Sequence, residues 1–229
     1  MNVETIRRTA ENAGLGGVAY DLFYRSLNHL TYFKVLQGIT VTMETLDPKY
    51  LVSNPAYTDG FLDAAQLRRF AKEPANHISD SFLDQALPKG DRCYAFLAGD
   101  RLASFGWYSD KPTLIDGGLQ LEFDPSWVYM YHGFTHEADR GHRLHAVGMA
   151  KALRAFTEMG YRGIVSYVEL NNYSSLKSCY RMGYRNFGRI AAFRLFGSFL
   201  VRRDRACEPY SFDLIAPHHN GSAPQSVRA

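Results

Sequence analysis

The feature that most constrains the fold is a change of hydrophobic period in the second half of the chain. Residues 128–135 alternate as a strand does, whereas residues 143–159 carry Met149 and Phe156 on one helical face. Residues 163–170 are again rich in the Ile, Val and Tyr of a strand. A strand, a helix and a second strand in this order indicate a right-handed crossover between parallel strands. The sequence therefore predicts a mixed α/β sheet.

The other elements are predicted from the same two periods and from turn residues. Helices are expected over residues 3–13, 18–31, 63–72, 80–87 and 174–182, and strands over residues 33–45, 92–97, 102–108, 119–123, 184–190 and 193–202. Gly99-Asp100 marks a hairpin turn, and Asp124-Pro125 is expected to join strand 119–123 to strand 128–135. Gly133, inside a strand, is expected to form a bulge or kink.

Composition indicates a folded globular chain and excludes several classes of protein. Of 229 residues, 46% are hydrophobic and 21% charged, and the net charge of +3 is too small to indicate nucleic-acid binding. Cys93, Cys179 and Cys207 form no CxxC pair, so neither a disulfide framework nor a metal site is expected. The apolar segment 18–36 is interrupted by charged residues, so no membrane span is predicted. A cytoplasmic location is the default expectation.

A short basic loop joins the strand that ends at Thr135 to the following helix. It reads Arg140-Gly141-His142-Arg143-Leu144-His145. The first turn of a helix leaves backbone N–H groups unpaired, and the aligned peptide dipoles add partial positive charge there. With two arginines beside these donors, the loop is a candidate cradle for an anion such as a pyrophosphate.

A second motif follows downstream, where Asn172 and Ser175 precede a short helical run that closes at Gly183-Tyr184. In this order the two motifs resemble the acyl-CoA core of the GCN5-related N-acetyltransferase (GNAT) superfamily. The resemblance covers residues 92–202. The signature loop departs from the family pattern because Arg143 and His145 replace two expected glycines, which normally let the backbone approach a phosphate closely.

The resemblance implies a cofactor and the residues that bind it. The co-substrate would be acetyl-CoA or another acyl-CoA, without a metal. Its pyrophosphate would lie on the loop at 140–145, its pantetheine arm beside Asn172 and Ser175, and a backbone N–H near Phe134 or Thr135 would stabilise the oxyanion. The implied cofactor-binding residues are Phe134, Thr135, Arg140, Gly141, His142, Arg143, Leu144, His145, Asn172 and Ser175.

Candidates for the catalytic groups lie on the two central strands and the following helix. His132 has an unperturbed pKa suited to a general base, Glu169 ends a strand beside the second motif, and a water held with Tyr131 is a third alternative. Many family members place a tyrosine acid where this chain has Cys179, so either Tyr180 or no dedicated acid serves the leaving thiolate. The catalytic candidates are Tyr131, His132, Glu169 and Tyr180, with Glu122, His136 and Glu137 left open as bases.

The resemblance also implies the fold and the domain organisation. The fold class is α/β, a GNAT-like mixed, mostly antiparallel sheet with central splayed parallel strands, flanked by helices. Residues 1–205 would form a single acyltransferase domain, in which residues 1–90 supply acceptor-side helices and an early strand and residues 91–205 the acyl-CoA core. Residues 206–229 are expected to be a flexible tail because their composition turns to Pro, His, Asn, Gly and Ser.

The implied function is an acyl-CoA-dependent N-acyltransferase that moves an acyl group, in the first place acetyl, directly to an amine in a ternary complex. The acceptor would be a small-molecule or peptide amine, and a homodimer is left open. Two alternatives stand beside this function. One is a transferase for longer acyl chains from CoA or acyl carrier protein, suggested by the many aromatic residues and by residues 18–36. The other is a CoA-binding module without turnover, suggested by the missing tyrosine and glycines.

Overall fold

The structure is a computed structural model that describes residues 3–216. In this range the helices are α1 Val3–Leu30, α2 Ala64–Ala71, α3 Asp80–Lys89, α4 Leu144–Glu158 and α5 Tyr173–Met182. The strands are β1 Phe33–Val41, β2 Thr58–Phe61, β3 Arg92–Ala98, β4 Arg101–Ser109, β5 Thr113–Leu114, β6 Gln120–Glu122, β7 Val128–Thr135, β8 Ile164–Glu169, β9 Arg185–Leu195, β10 Ser198–Arg203 and β11 Asp213–Ile215. The predicted helices are all present, with their ends shifted.

These elements form two compact units, which are described separately. The first unit contains residues 3–40, 114–124 and 167–216, and the second contains residues 41–113 and 125–166. Strand β8 is divided between them after Ser166. That the chain works as one acyltransferase domain over residues 1–205 stays a prediction.

The sheet of the second unit is antiparallel from β2 through β3 and β4 to β7. The first half of β8 adds a parallel neighbour to β7, with Val128 opposite Ile164 and Tyr129 opposite Val165. Helix α4 connects these parallel strands and packs against β3, β4 and β7, where it buries Phe156. The predicted mixed, mostly antiparallel sheet with a parallel pair and flanking helices is therefore confirmed. The splay of the parallel pair stays a prediction.

A bulge interrupts β7, but not where the sequence indicated. Trp107 of β4 lies opposite His132, and the next residue of β4, Tyr108, lies opposite Met130, so Tyr131 is the extra residue. Gly133 is in regular register, so the expectation of a bulge there was wrong. The glycine serves close packing instead, because a Cβ at this position would lie 2.3 Å from Cε1 of His145.

The other side of this sheet carries α2 and α3. Their apolar residues form a buried cluster with β3 and β4 that includes Leu67, Phe70, Leu83, Phe105 and Trp107. Helix α2 begins with a capping box between Asp63 and Gln66, and the Ser79 side chain caps α3. These local signals explain why two short helices form at the predicted positions.

In the first unit, α1 is broken at Gly14, whose φ of 67° and ψ of −171° are not helical. The break lies between the two helices predicted over residues 3–13 and 18–31. Strand β1 pairs antiparallel with β9, and on its other edge the Leu170 N–H donates to the Val35 carbonyl at 2.8 Å. The predicted early strand is therefore part of a sheet, although it ends at Val41, before residue 45.

Strands β9 and β10 form a hairpin with a two-residue turn at Phe196-Gly197. Both residues have positive φ, 47° and 85°, as a two-residue hairpin turn of the primed type requires. The predicted break after residue 190 was wrong, because Ala191 and Ala192 lie inside β9 and pair with β1 and β10.

Strand β6 does not pair with β7, so the hairpin predicted through Asp124-Pro125 was wrong. It pairs antiparallel with β11, with Leu121 opposite Leu214. Residues 205–210 form a 3-10 helix, and Cys207 and Phe212 are fully buried. The predicted boundary of the flexible tail at residue 206 therefore lies within folded structure, and residues 217–229 of that tail lie outside the described residues.

Candidate functional site

The basic loop of the second unit forms the predicted start of a helix. After β7, Arg140 is extended, Gly141 has a φ of 86°, and Arg143 stands before α4 in the left-handed region with a φ of 60°. The first backbone bond of the helix runs from the Val147 N–H to the Arg143 carbonyl at 3.0 Å. The amides of residues 144–146 precede it, and no side chain of Arg143 caps them. This helix start is open to an acceptor of hydrogen bonds.

Two arginines place positive charge at the same point. Arg140 and Arg143 are exposed, and within residues 3–216 neither forms an ion pair. Arg143 occupies one of the expected glycine positions and adopts the conformation that glycine would adopt without strain, at a cost of about 1–2 kcal/mol. The backbone path of the loop is thus kept although the glycine is not.

The loop is held in place by a buried carboxylate. The Asp139 side chain is 4% exposed and accepts two bonds from the Arg101 guanidinium, at 2.7 and 3.0 Å. It also accepts a bond from the Tyr57 hydroxyl at 3.2 Å, and that hydroxyl lies 3.1 Å from Nδ1 of His142. The Arg101 bonds hold the pKa of Asp139 below its usual range. The carboxylate therefore stays charged and fixes the loop to β4 at neutral pH.

His145, at the other expected glycine position, turns its ring away from the open amides. The ring lies over Gly133 of β7 and bonds to the backbone of Phe105. Burial lowers the pKa of His145, so the imidazole is neutral at pH 7. A glycine on the strand thus makes room for a large side chain on the helix.

His132 lies on β7 among aromatic rings. Its ring centre is 5.4 Å from that of Phe105 and 5.8 Å from that of Phe82. Burial lowers the pKa of His132, while a hydrogen bond from its ring to the backbone of His77 opposes that shift. A neutral imidazole that donates through one nitrogen keeps a lone pair on the other, which is the form a general base needs.

Tyr131 is not suited to accept a proton. Its hydroxyl donates to Oδ2 of the buried Asp91 at 2.7 Å, and Asp91 pairs with Lys89 at 3.0 Å. Burial and the Asp91 carboxylate raise the pKa of Tyr131. The hydroxyl therefore keeps its proton and positions the bulge of β7 through Asp91.

The pairing of β7 with β4 decides which amides of β7 are available. The His136 N–H donates to the Ala103 carbonyl at 3.0 Å, so in an antiparallel ladder the pair Phe134–Phe105 is also hydrogen-bonded. Thr135 and Ser104 form the non-hydrogen-bonded pair between them, so the N–H of Thr135 points to the opposite edge of β7. Of the two predicted oxyanion donors, the amide of Phe134 is used within the sheet and that of Thr135 is directed away from β4.

In the first unit, Glu169 is held by two partners. Its Oε1 lies 2.5 Å from Nζ of Lys34, and its Oε2 accepts a bond from the Tyr24 hydroxyl at 3.1 Å. It lines a polar cavity of about 460 Å³ together with the buried Asp21, which binds Asn171 at 2.8 Å. Each oxygen of Glu169 thus has one partner and keeps a second lone pair, while the Lys34 ammonium stabilises the charged carboxylate and makes it a weaker base.

The second motif forms a capped helix start in the first unit. Oδ1 of Asn172 accepts from the Ser175 N–H at 3.2 Å and makes Asn172 the N-cap of α5. The exposed Tyr180 donates to Asn186 at 3.0 Å. Burial raises the pKa of Cys179 to about 11, so this thiol is protonated at neutral pH and is a poor nucleophile.

The predicted site residues thus fall into two groups, one in each unit. The second unit brings together the strand residues Tyr131, His132, Phe134 and Thr135 and the loop residues Arg140, Gly141, His142, Arg143, Leu144 and His145. The first unit contains Glu169, Asn172, Ser175 and Tyr180. Contacts of any of them with acyl-CoA stay predictions.

Several residues that shape the site were not found from the sequence. Asp139, Arg101 and Tyr57 fix the loop, and His77 orients His132. Asp139 directly precedes the loop and could have been noticed as an anchor. Its partners stand far away in the sequence, in segments that no local pattern connects to the loop.

Two further features, a metal-binding cluster and a membrane-spanning helix, are absent from residues 3–216. No group of three or more His, Cys, Asp or Glu side chains in this range is arranged to hold a metal ion. No helix among the same residues is both long and apolar enough to cross a bilayer.

Comparison with known proteins supports the fold. No family model matches the sequence, and no curated protein matches it. A solved structure of a Drosophila protein aligns with a TM-score of 0.50 at 13% identity, over 82% of this chain and 59% of that chain. An acetyltransferase described as GNAT-family, from Novosphingobium aromaticivorans, aligns with a TM-score of 0.49 at 13% identity, over 71% of this chain and 64% of that chain.

A GCN5-related N-acetyltransferase-like protein from Streptococcus suis aligns with a TM-score of 0.48 at 14% identity, over 77% of this chain and 68% of that chain. The chain spans less than two thirds of the Drosophila and Novosphingobium structures. At such low identity the likeness concerns the fold alone. Structures described as GNAT acetyltransferases are thus among those that this chain resembles, as its motifs predicted.

Proposed function

We propose that this protein is an acyl-CoA-dependent N-acyltransferase that transfers an acyl group, in the first place acetyl, to an amine. The observation that carries the proposal is the open start of α4. Backbone amides without a side-chain cap stand there beside the exposed Arg140 and Arg143, on a loop fixed by the Arg101–Asp139 pair. Such a site favours a pyrophosphate because its charge and its acceptor oxygens match the donors.

The residues present fit coenzyme A at this point. The amides of residues 144–146 and the two arginines would hold the pyrophosphate, and Gly141, whose Cβ position meets no atom within 4 Å, leaves the approach open. The bound acyl-CoA would supply the activated thioester. In the first unit Asn172 and Ser175 would contact the pantetheine arm, as the motif implies.

His132 would act as the general base of the transfer. Its neutral imidazole would accept the proton that the amine loses on attack, and the bond to His77 would hold the ring in place. The Thr135 amide would donate to the carbonyl oxygen as negative charge develops there. Glu169 is the second candidate base, since it ends β8 beside the motif at Asn172, but Lys34 and Tyr24 each bind one of its oxygens.

The acceptor would be a small-molecule or peptide amine, and the enzyme would work in the cytoplasm. Residues of the amino-terminal part, including helices α2 and α3, would contact the acceptor, because α2 and α3 lie on the same side of the sheet as His132. No dedicated acid is needed if the CoA thiolate leaves unprotonated. Tyr180 remains the candidate acid of the first unit.

Thiol release from acetyl-CoA in the presence of a panel of amines tests this function. The expected result is amine-dependent release that His132→Ala reduces by about 10²–10⁴-fold, the usual contribution of a general base. The affinity for CoA should be unchanged in that variant, because His132 does not lie on the loop. Glu169→Gln is the matched variant for the rival base, and a larger loss there would assign the role to Glu169.

Two outcomes would replace the proposal. Tight CoA binding without release against any amine would indicate a binding module. A marked preference for octanoyl-CoA or palmitoyl-CoA over acetyl-CoA in calorimetry would indicate a transferase for longer chains. Failure of CoA to bind at all would remove the function together with its site.

A further inference from the structure

Helix α1 of the first unit buries two polar groups and exposes a stripe of apolar side chains to solvent. The inward residues are Asp21 and Tyr24, which are 1% and 3% exposed, and Asn28, which bonds to the Tyr24 carbonyl. The outward residues include Leu15 and Leu30, each 85% exposed, with Leu22 and Phe23 between them. Spacings of seven and eight residues place these four side chains on one stripe of the helix. Surface helices of globular proteins usually show the opposite arrangement.

The turn between β9 and β10 extends this apolar surface. Phe196 is 98% exposed, and Leu195 and Leu200 beside it are about half exposed. The turn adjoins the end of α1, because the Thr31 hydroxyl donates to the Arg194 carbonyl at 2.5 Å and the Arg194 N–H donates to the Tyr32 carbonyl at 2.9 Å. We call the exposed residues Leu15, Leu22, Phe23, Leu30, Leu195, Phe196 and Leu200 the apolar patch.

Phe196 is also unusual in its backbone. It has a φ of 47°, a conformation that a bulky residue rarely adopts and that costs about 1–2 kcal/mol. At this position of a two-residue hairpin turn Asn would be favoured, directly before Gly197. An aromatic side chain that is both strained and fully exposed gains nothing from the fold, which points to a contact outside the chain.

The charges around the patch are almost all positive. Residues 15–34 and 190–203 contain five lysines and arginines, namely Arg25, Lys34, Arg194, Arg202 and Arg203, and one carboxylate, Asp21. Asp21 is buried and paired with Arg25 at 2.8 Å, so it offers no negative charge at the surface. Lys34 is paired with Glu169 and Arg203 with Asp213, so within residues 3–216 the charges of these two segments that form no ion pair are those of Arg194 and Arg202.

We propose that the apolar patch binds the surface of an anionic lipid bilayer. Leu15, Leu22, Phe23 and Leu30 would lie in the interface along one side of α1, with Phe196 inserted at the turn, and the arginines would meet the lipid phosphates. A second copy of the chain fits less well, because a symmetric contact through this patch would bring its arginines against each other. The helix lies on the membrane and does not cross it, in agreement with the lack of a spanning helix among residues 3–216.

Flotation with vesicles tests the proposal on the full chain. The protein should bind vesicles of equimolar phosphatidylcholine and phosphatidylglycerol, should not bind phosphatidylcholine alone, and should lose binding as salt is raised. Phe196→Asn and Leu22→Gln should each weaken binding about tenfold, since each removes a large buried apolar group from the interface. Phe196→Asn should also make the protein more stable, because Asn-Gly fits the turn, so that its lost binding cannot be a folding defect.

The control is Val52→Gln, which removes an exposed apolar side chain outside the patch and should bind vesicles like the unchanged protein. Arg202→Glu should reduce the preference for phosphatidylglycerol. No binding to either vesicle, or equal binding by Phe196→Asn and the control, would overturn the proposal. Self-association in solution that Leu22→Gln abolishes, without vesicle binding, would assign the patch to a second copy. Calorimetry with CoA is expected to be the same for all four variants, which separates this result from the proposed activity.

Discussion

Helices α4 and α5, which follow strands β7 and β8, begin in different ways. At the start of α5, the Asn172 side chain accepts a hydrogen bond from the Ser175 amide, so one N–H of the first helical turn has a partner within the chain. At the start of α4, Arg143 adopts a left-handed conformation and offers no side-chain cap, while Arg140 and Arg143 project into solvent. The start of α5 thus has a side-chain cap, whereas the start of α4 has none among residues 3–216 and carries positive charge.

Only one of these two helix starts has a feature that folding alone does not require. A capped helix start is required by folding and would be found with or without a cofactor. An uncapped start that keeps a strained arginine is a cost to the fold, and a bound anion would compensate for it. The loop at 140–145 is therefore the better candidate of the two for an anion site, and contact of either motif with CoA stays a prediction.

The largest expected effect is on CoA affinity when the charge of the open helix start is reversed. Arg140→Glu should weaken CoA binding by about ten- to a hundredfold, because it replaces a charge-assisted contact of about 1–3 kcal/mol by repulsion. Calorimetry at fixed ionic strength measures the change. Arg181→Glu, in the exposed last turn of α5, is the matched control and should bind CoA normally. Equal affinities in the two variants would move the pyrophosphate away from the loop.

The next effect concerns the packing that supports α4. Gly133→Ala should destabilise the protein by about 1–3 kcal/mol, because the new Cβ would meet the His145 ring at 2.3 Å and the Met130 side chain at 2.9 Å. Adding His145→Ala should restore most of the lost stability, since it removes the nearer of the two clashes. Thermal or urea unfolding of the single and double variants checks both expectations. Additive losses would show that His145 does not depend on Gly133.

Arg143→Gly should separate stability from binding. Glycine adopts the left-handed conformation freely, so the free energy of unfolding should rise by up to about 1 kcal/mol. The affinity for CoA should nevertheless fall about tenfold with the lost charge. Unfolding and calorimetry on the same sample measure the two changes. A more stable variant that binds CoA as tightly as before would show that Arg143 has no part in the anion site.

At Asn172, in contrast to Arg143, a substitution should lower stability more than it lowers the affinity for CoA. Asn172→Ala should cost about 1 kcal/mol of stability through the lost cap, with a smaller loss of CoA affinity than Arg140→Glu. Asn172→Ser keeps a neutral acceptor for the Ser175 amide and should retain most of the stability. If the Ser variant is stable yet binds CoA poorly, the amide contacts the cofactor directly and the predicted pantetheine role is supported.

The smallest effect at neutral pH is a difference in acid sensitivity between the two helix starts. The pKa of Asp139 is lowered in the folded protein, so its contribution to stability is present above the unfolded pKa of about 3.9 and is lost as pH falls through the lower folded pKa. The cap at Asn172 is uncharged and should not change over this range. Hydrogen exchange of amides 140–147 and 173–178 during acidification measures both regions. Parallel loss of protection in the two would mean that Asp139 does not fix the loop.

The positions of most helices and turns, and of the two motifs, could be predicted from the sequence. The helical period placed α4, Gly183 placed the end of α5, and Gly99-Asp100 placed the turn between β3 and β4. The basic loop could be located because the start of a helix and its charge are properties of adjacent residues. Signals of this kind need no knowledge of what lies on the other side of the fold.

The contacts between these elements could be read only from the tertiary structure. Local patterns could not show that β6 pairs with β11, that Arg101 neutralises Asp139, or that His145 packs over Gly133. Each of these contacts joins residues distant in the sequence, and its energy comes from burial and charge pairing that exist only after the chain has folded. For the same reason the sequence placed a bulge at Gly133, whereas the register with β4 placed it at Tyr131. Hydrophobic period records which face of an element is buried, but not which element covers that face.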